Sequence, residues 1–249
     1  DCFISKDKIY KISTASNYNL DIDSRPDTGE VCDYFMNSYF KVLKHTEYPK
    51  ILLCVSLLSM YTSILQEQCE YQPNFATYVQ AGYNKGKSSS INAMINPWKI
   101  QCCSFEDTEA AIVQTMKENK DIPLIIDDMS KSKRPGMIAK CERIIRLSGD
   151  TATSAQKMVG GKVNKSMVKC MTVITGEELP CLQDSSYTRM LILKYDNDEV
   201  NWDVLTLLQK NTDYTLWFYI NFIQHYMQQD GFVDELIDSF LNYRAEYRV

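Results

Sequence analysis

Apolar positions along this chain change their period several times. Between Gly29 and Gln68 they recur at helical spacing, with Val31, Tyr34, Phe35, Tyr39 and Phe40 first. After a break at Pro49, the largely apolar stretch Ile51–Ile64 follows. Spacings of three and four residues line one face of a helix, so a helical lead-in is predicted. The pattern then shortens to brief apolar runs at Phe75–Gln80, Lys99–Cys102, Ile122–Ile126, Lys169–Thr175 and Arg189–Tyr195. Runs this short and this apolar read as strands covered on both faces, as in a parallel sheet. Helical patterns separate them, starting at Ser88–Ala93 and continuing at Glu106–Glu118 and Met137–Leu147. The glycine-bearing residues 149–163 have little periodicity and read as a loop or hairpin. From Trp202 to Tyr243 the helical period returns, with Gly231 breaking the last two helices. Alternating strands and helices predict an α/β class. The boundaries expected are a strand and helical lead-in over 1–70, a core over 71–198 and a helical tail over 199–249. Residues 1–30 are polar, with Ile9-Tyr-Lys-Ile-Ser alternating as a strand would.

Two segments at strand ends carry chemistry. Ala81-Gly-Tyr-Asn-Lys-Gly-Lys-Ser88 lies between the Phe75–Gln80 run and a helical segment. That is the layout of a phosphate-binding loop, in which backbone N–H groups cradle phosphates, a lysine reaches the β/γ-phosphates and a hydroxyl meets Mg²⁺. Gly82, Lys85, Gly86, Lys87, Ser88 and Ser89 are the candidate nucleotide-binding residues. Ala81 stands where the motif has its first glycine, with Gly82 one position off. The second segment, Ile122-Pro-Leu-Ile-Ile-Asp-Asp128, ends in two carboxylates. At the C-terminal edge of an open α/β sheet, one acid can hold Mg²⁺ and the other orient a water. The alternative is a surface turn after a core strand, because Asp-Asp-Met-Ser is also turn composition.

Charge changes the picture next. The formal net charge is −5, yet Lys131 to Lys169 holds ten basic residues against Glu142 and Asp150. Local charge decides whether a phosphate backbone can dock. Lys157, Lys162 and Lys165, on the glycine-bearing loop, are the candidate nucleic-acid contacts; a solvated loop is the competing reading. Nine cysteines, an odd count in a chain too large to need staples, read as reduced core thiols, with Cys54, Cys102 and Cys170 expected to be buried. With no C-x-x-C and only His45 and His225, a zinc site is not expected. No signal-peptide pattern opens the chain and Ile51–Met60 is too short to span a bilayer, so a cytoplasmic protein away from membranes is expected. The chain begins at Asp1, and it is expected to be a piece of a longer polypeptide with flanking domains.

The order of these features is more specific than any one of them. A helical lead-in, a phosphate loop, Trp98 near the second strand, a strand ending Asp127-Asp128, a basic glycine-bearing stretch and a strand ending Thr175-Gly-Glu177 recur together. Over roughly residues 45–195 the chain resembles the DUF927 family, helicase-like P-loop ATPase domains of phage, plasmid and mobile-element replication. The resemblance implies a P-loop NTPase of AAA+ or superfamily 3 helicase-like type, with a parallel sheet flanked by helices. It implies ATP and Mg²⁺ as cofactors, single-stranded or duplex DNA as partner, and a homo-oligomer. Lys87 resembles the phosphate-loop lysine, Ser88 the Mg²⁺ hydroxyl, Asp127 the Mg²⁺-side carboxylate and Thr175 the γ-phosphate sensor. Asp128 falls where the family more often has glutamate, one methylene longer. Arg189 resembles a phosphate-sensing or trans-acting arginine, or is a strand-end surface residue.

Three functions follow as expectations. The first is a DNA-acting, ATP-dependent motor or switch. The second is a nucleotide-binding scaffold that hydrolyses weakly or not at all and recruits a replication or defence partner. A small-molecule kinase is the weakest, because no substrate lid is evident.

Overall fold

A computed structural model describes residues 2–5, 8–11, 25–45, 47–69, 73, 75–83, 85–130, 136–149, 154–155, 165–166, 168–195 and 199–247. In chain order the elements begin with an antiparallel pair, β1 (Cys2–Ser5) and β2 (Lys8–Lys11). The lead-in helices are α1 (Thr28–Ser38), α2 (Glu47–Met60) and α3 (Thr62–Cys69), with a 3₁₀ turn at Tyr39–Lys41. The core runs β3 (Ala76–Gln80), α4 (Lys87–Ile95), β4 (Cys103–Ser104), α5 (Glu109–Glu118), β5 (Leu124–Met129) and α6 (Met137–Gly149). After a short antiparallel pair, β6 (Ser154–Ala155) and β7 (Lys165–Ser166), come β8 (Thr172–Gly176), α7 (Asp184–Tyr187) and β9 (Met190–Lys194). The tail is α8 (Trp202–Lys210), α9 (Thr212–Met227) and α10 (Phe232–Glu246).

The central sheet has five strands in the order β4-β5-β8-β3-β9, and every pairing is parallel. Successive strand residues point to opposite faces, and the core divides accordingly. Val79, Ile125 and Val173 join α1, α2, α4 and α8 on one face. Tyr78, Ile126 and Ile174 join α5 and α6 on the other. Both faces are covered, which is why the strands read as continuous apolar runs. A third cluster packs α9 against α2 and α3 through Tyr61, Ile64, Leu216, Tyr219 and Ile223, with Trp98 against Tyr219 at 5.3 Å between ring centroids.

Several sequence expectations need correction. Pro49 does not break the lead-in; it lies in the first turn of α2, where no intrahelical N–H is needed. The break comes just ahead of it, α2 starting anew at Glu47 after the 3₁₀ turn, and a second one falls at Tyr61, where α2 and α3 bend by 53°. Lys99–Cys102 is not a strand. Asn96 takes its backbone, donating from Nδ2 to the Ile100 carbonyl at 2.8 Å and accepting the Ile100 N–H at 2.9 Å. Those groups cannot also pair with β5, so β4 begins only at Cys103. Cys54 is exposed and Cys102 half-buried, whereas Cys170 is buried as expected; the eight cysteines whose side chains are described are all free thiols. Gly231, with φ of 79°, starts α10 as expected. Among the described residues no single helix is long and apolar enough to cross a membrane.

Candidate nucleotide site

β3 delivers the chain to the phosphate loop at the C-terminal edge of the sheet. Ala81 is only 2% exposed, its methyl sits in the core beside Val79 and Ile91, and its N–H donates to the Gly176 carbonyl at 3.1 Å. A methyl group is therefore accommodated at the position where the motif has glycine. The open part of the loop starts at Gly82. Gly86 has φ of 70° and serves as N-cap to α4, a backbone setting that favours glycine. Lys87 and Ser88 open the helix, whose N-terminal N–H groups and dipole favour an anion.

β5 brings the acids. In a regular strand Asp127 and Asp128 would face opposite ways, but the pairing of β5 with β8 shifts register between Ile126 and Met129. Asp128 takes φ of 64° within that irregularity. The bulge turns both carboxylates into one cavity, and aspartate tolerates this left-handed backbone better than most residues. The Ser88 hydroxyl donates to Asp127 Oδ1 at 2.7 Å, joining the start of α4 to the end of β5. The Thr175 hydroxyl, from the adjacent β8, donates to the same oxygen and accepts the Asp128 N–H at 3.4 Å.

These groups line a cavity of about 510 Å³ together with Gly82, Tyr83, Lys85, Gly86, Lys87, Ser89, Ser104 and Glu177. That volume lies within the range of small-molecule sites, roughly 300–1,000 Å³. Lys87 is 8% exposed and lines the cavity. Burial and then the charge of Asp127 push the Cys102 thiol up to about 11, so it stays neutral. Gly176 also has a spatial reason: a Cβ there would lie 2.0 Å from the Tyr78 hydroxyl, which donates to the Glu178 carbonyl at 2.7 Å.

Among the described residues no group of three or more His, Cys, Asp or Glu side chains forms a metal cage. Mg²⁺ takes one or two protein oxygens plus phosphate and water. Ser88 and Asp127 are the pair suited to it.

The structure therefore brings together Gly82, Lys85, Gly86, Lys87, Ser88, Ser89, Asp127, Asp128 and Thr175. It does not bring Arg189 to them. The Arg189 carbonyl accepts from Ala76 N–H at 2.9 Å, at the N-terminal edge of the sheet. The guanidinium donates to the Ser185 carbonyl, and the side chain packs where a Gly149 Cβ would be. With β3 between, Arg189 is more than about 10 Å from the loop at roughly 3.3 Å per residue. Lys157 and Lys162 lie outside the described residues, and only the backbone of Lys165, paired with Ala155, is described. Elsewhere in the basic stretch, Lys140 donates to the carbonyls of Phe105 and Asp107, and Arg143 pairs with Glu109 at 2.8 Å. Arg146 donates to Gln183, and Lys169 pairs with Glu67 at 3.6 Å, so these cations bind the protein itself. Tyr83 and Ser104 were not singled out by motif. Ser104 becomes visible only once β4 is known to lie beside β5.

No family model and no curated protein matches the chain. Solved structures do. An active helicase, Cch of SCCmec type IV, aligns with a TM-score of 0.60 at 15% identity, over 98% of this chain and 48% of that one. The NrS-1 C-terminal region aligns at 0.48 and 11% identity, over 88% of this chain and 52% of that one. JCV helicase aligns at 0.45 and 10% identity, over 84% and 60%. The first match carries the comparison, and it speaks to fold. This chain spans about half the length of the structures it matches. Its parallel sheet flanked by helices is the fold it shares with that helicase structure.

Proposed function

We propose that this chain is the nucleotide-binding core of a DNA-acting, ATP-dependent motor or switch of the helicase-like kind found in phage and mobile-element replication proteins. The observation that carries the reading is the 2.7 Å hydrogen bond from Ser88 to Asp127, which closes the phosphate loop onto the acid-bearing strand. In this reading Lys87 neutralises the β/γ-phosphates and the start of α4 donates N–H groups to them. Ser88 and Asp127 hold Mg²⁺, which supplies charge neutralisation at the phosphate oxygens when bound. Asp128 accepts a hydrogen bond from the attacking water and orients it. Thr175 keeps Asp127 and Asp128 in register. Arg189 has no part in this site within one subunit; its proposed role is toward a neighbouring copy in an oligomer. Lys157, Lys162 and Lys165 are the proposed DNA contacts.

The non-hydrolysing scaffold is kept as a second reading because of one feature. Asp128 is a short acid held at a left-handed backbone position, which restricts how far it reaches.

Phosphate release measured with and without single-stranded and duplex DNA tests both, alongside mass in solution. The motor reading expects DNA-stimulated release that falls at least 100-fold in Lys87→Ala. ATP binding without turnover favours the scaffold. DNA stimulation unchanged in Lys87→Ala removes the motor.

A further inference from the structure

We infer that Trp202 is the stacking platform for the base of a purine nucleotide whose phosphates occupy the loop. The inference rests on the nucleotide reading above and specifies the end of the ligand that the reading leaves open. Strand order gives the direction. β8 and β5 lie on one side of β3, and they carry Thr175, Asp127 and Asp128. The terminal phosphate belongs on that side, with the hydroxyls and acids. The ribose and base must then leave the loop on the other side of β3, where β9 lies and α8 follows it.

Trp202 opens α8 at that place. Its ring lies against the phosphate loop itself: a Cβ built on Gly86 would be 2.6 Å from Cη2 and 3.0 Å from Cζ3. The helix is fixed there, since Asn201 caps it by accepting the Val204 N–H and α8 packs on α4. Yet the indole is 52% exposed, while the other two tryptophans, Trp98 and Trp217, are 8% and 4% exposed. A large apolar ring anchored on one side and open on the other, at the rim of a phosphate loop, offers a π-face to a planar base. Base–aromatic stacking is tolerant of base identity because every base has such a face. ATP and GTP should therefore bind similarly, and purines better than pyrimidines.

The test compares ATP with inorganic tripolyphosphate, which offers phosphates and no base, on the unaltered chain, Trp202→Ala, Trp202→Phe and Lys87→Ala. Trp202→Ala is expected to weaken ATP about 10-fold or more and to leave tripolyphosphate within about two-fold. Trp202→Phe keeps a stacking ring and should hold ATP within about three-fold. Lys87→Ala should weaken both ligands. Because Trp202 is the exposed indole, ATP should alter the protein's tryptophan emission and tripolyphosphate should not. Equal weakening of ATP and tripolyphosphate by Trp202→Ala would make the ring a packing support for Gly86 and overturn the platform. No change in either would overturn it too. In both cases tripolyphosphate binding by the unaltered chain leaves the phosphate site standing. Failure of the unaltered chain to bind either ligand would overturn the site and the platform together.

Discussion

β5 is flanked by aspartates at both ends, and the two ends differ in what surrounds the acids. Asp121, just ahead of the strand, and Asp128, near its end, share a left-handed backbone, with φ of 61° and 64°. Asp121 is buried: its Oδ1 accepts the Ser63 N–H at 2.8 Å, at the start of α3, and Lys120 lies 3.8 Å from Oδ2. It fastens the lead-in helices to the sheet. Asp127 and Asp128 instead face an open volume shared with two lysines, three serines and a helix N-terminus. Residue type and backbone strain are alike at both ends, so neither marks a site. What separates a latch from a ligand-binding edge is whether the donors around the acid are consumed by the fold or face a cavity. Strand direction decides this, since a parallel sheet presents its loops and helix N-termini at the C-terminal edge.

The sharpest way to break the comparison is to neutralise the acid at each end without changing its shape. Asp127→Asn keeps an oxygen that can accept from Ser88 and Thr175 but loses the charge that would hold Mg²⁺. Turnover is expected to fall at least about 100-fold, roughly 2.7 kcal/mol at the transition state, with the thermal midpoint little changed. Asp121→Asn should do the reverse, leaving turnover within about two-fold. Steady-state phosphate release and thermal unfolding on both variants read the difference. Loss of turnover in Asp121→Asn with Asp127→Asn still active would invert the assignment of the two ends.

Much of this contrast was legible in the chain. The loop from Gly82 to Ser89 and the pair Asp127-Asp128 lie at strand ends because short apolar runs bounded by polar residues mark where a buried strand emerges. Their meeting was legible through motif spacing, since a serine after the loop lysine and an acid after a strand suit the same cation. Strand order was not legible, so Ser104 was missed and the reading of Arg189 stayed open between a phosphate-sensing arginine and a strand-end surface residue. An arginine before a strand reads the same at either edge until the direction of that strand is known. The latch at Asp121 was invisible as well, because its partner, the Ser63 N–H, is 58 residues away and is a backbone group. The bulge that turns Asp128 toward Asp127 depends on pairing with β8, which no local pattern encodes.

The next contrast is in pH. Burial pushes the Asp121 carboxyl up to about 6, and the hydrogen bonds from Ser63 and the charges of Lys120 and Lys169 only partly offset it. In the unfolded chain the same group titrates near about 3.9. Between those values the folded state holds more protons, so this residue's contribution to stability is full below about pH 4, declines as pH rises to about 6 and is flat above. The decline is about 2–3 kcal/mol at most, from roughly 1.36 kcal/mol per unit. Asp121→Asn removes the titration and keeps an acceptor for Ser63. Denaturant unfolding at a series of pH values should therefore show a flatter profile between pH 4 and 6, with the variant gaining on the parent as pH rises. An unchanged slope would mean that Asp121 does not hold its proton in the folded state.

The smallest effect separates the two left-handed aspartates directly. A side chain at positive φ carries a steric cost that glycine does not. At Asp128 the donor to the Thr175 hydroxyl is the backbone N–H, and that bond survives replacement of the Asp128 side chain. Asp128→Gly relieves about 0.5–1 kcal/mol of that steric cost and should lose turnover, the pattern of a residue strained for use. Asp121→Gly relieves the same strain but strips the acceptor from the buried Ser63 N–H, which costs about 1–3 kcal/mol. Its stability should not rise at pH 4, where the carboxyl is protonated and no buried charge is relieved by removing it. Chemical unfolding of both glycine variants at pH 4 gives the comparison. If Asp128→Gly is the less stable of the two there, the Asp128 side chain holds the fold together and the strain at the end of β5 has no link to the cavity.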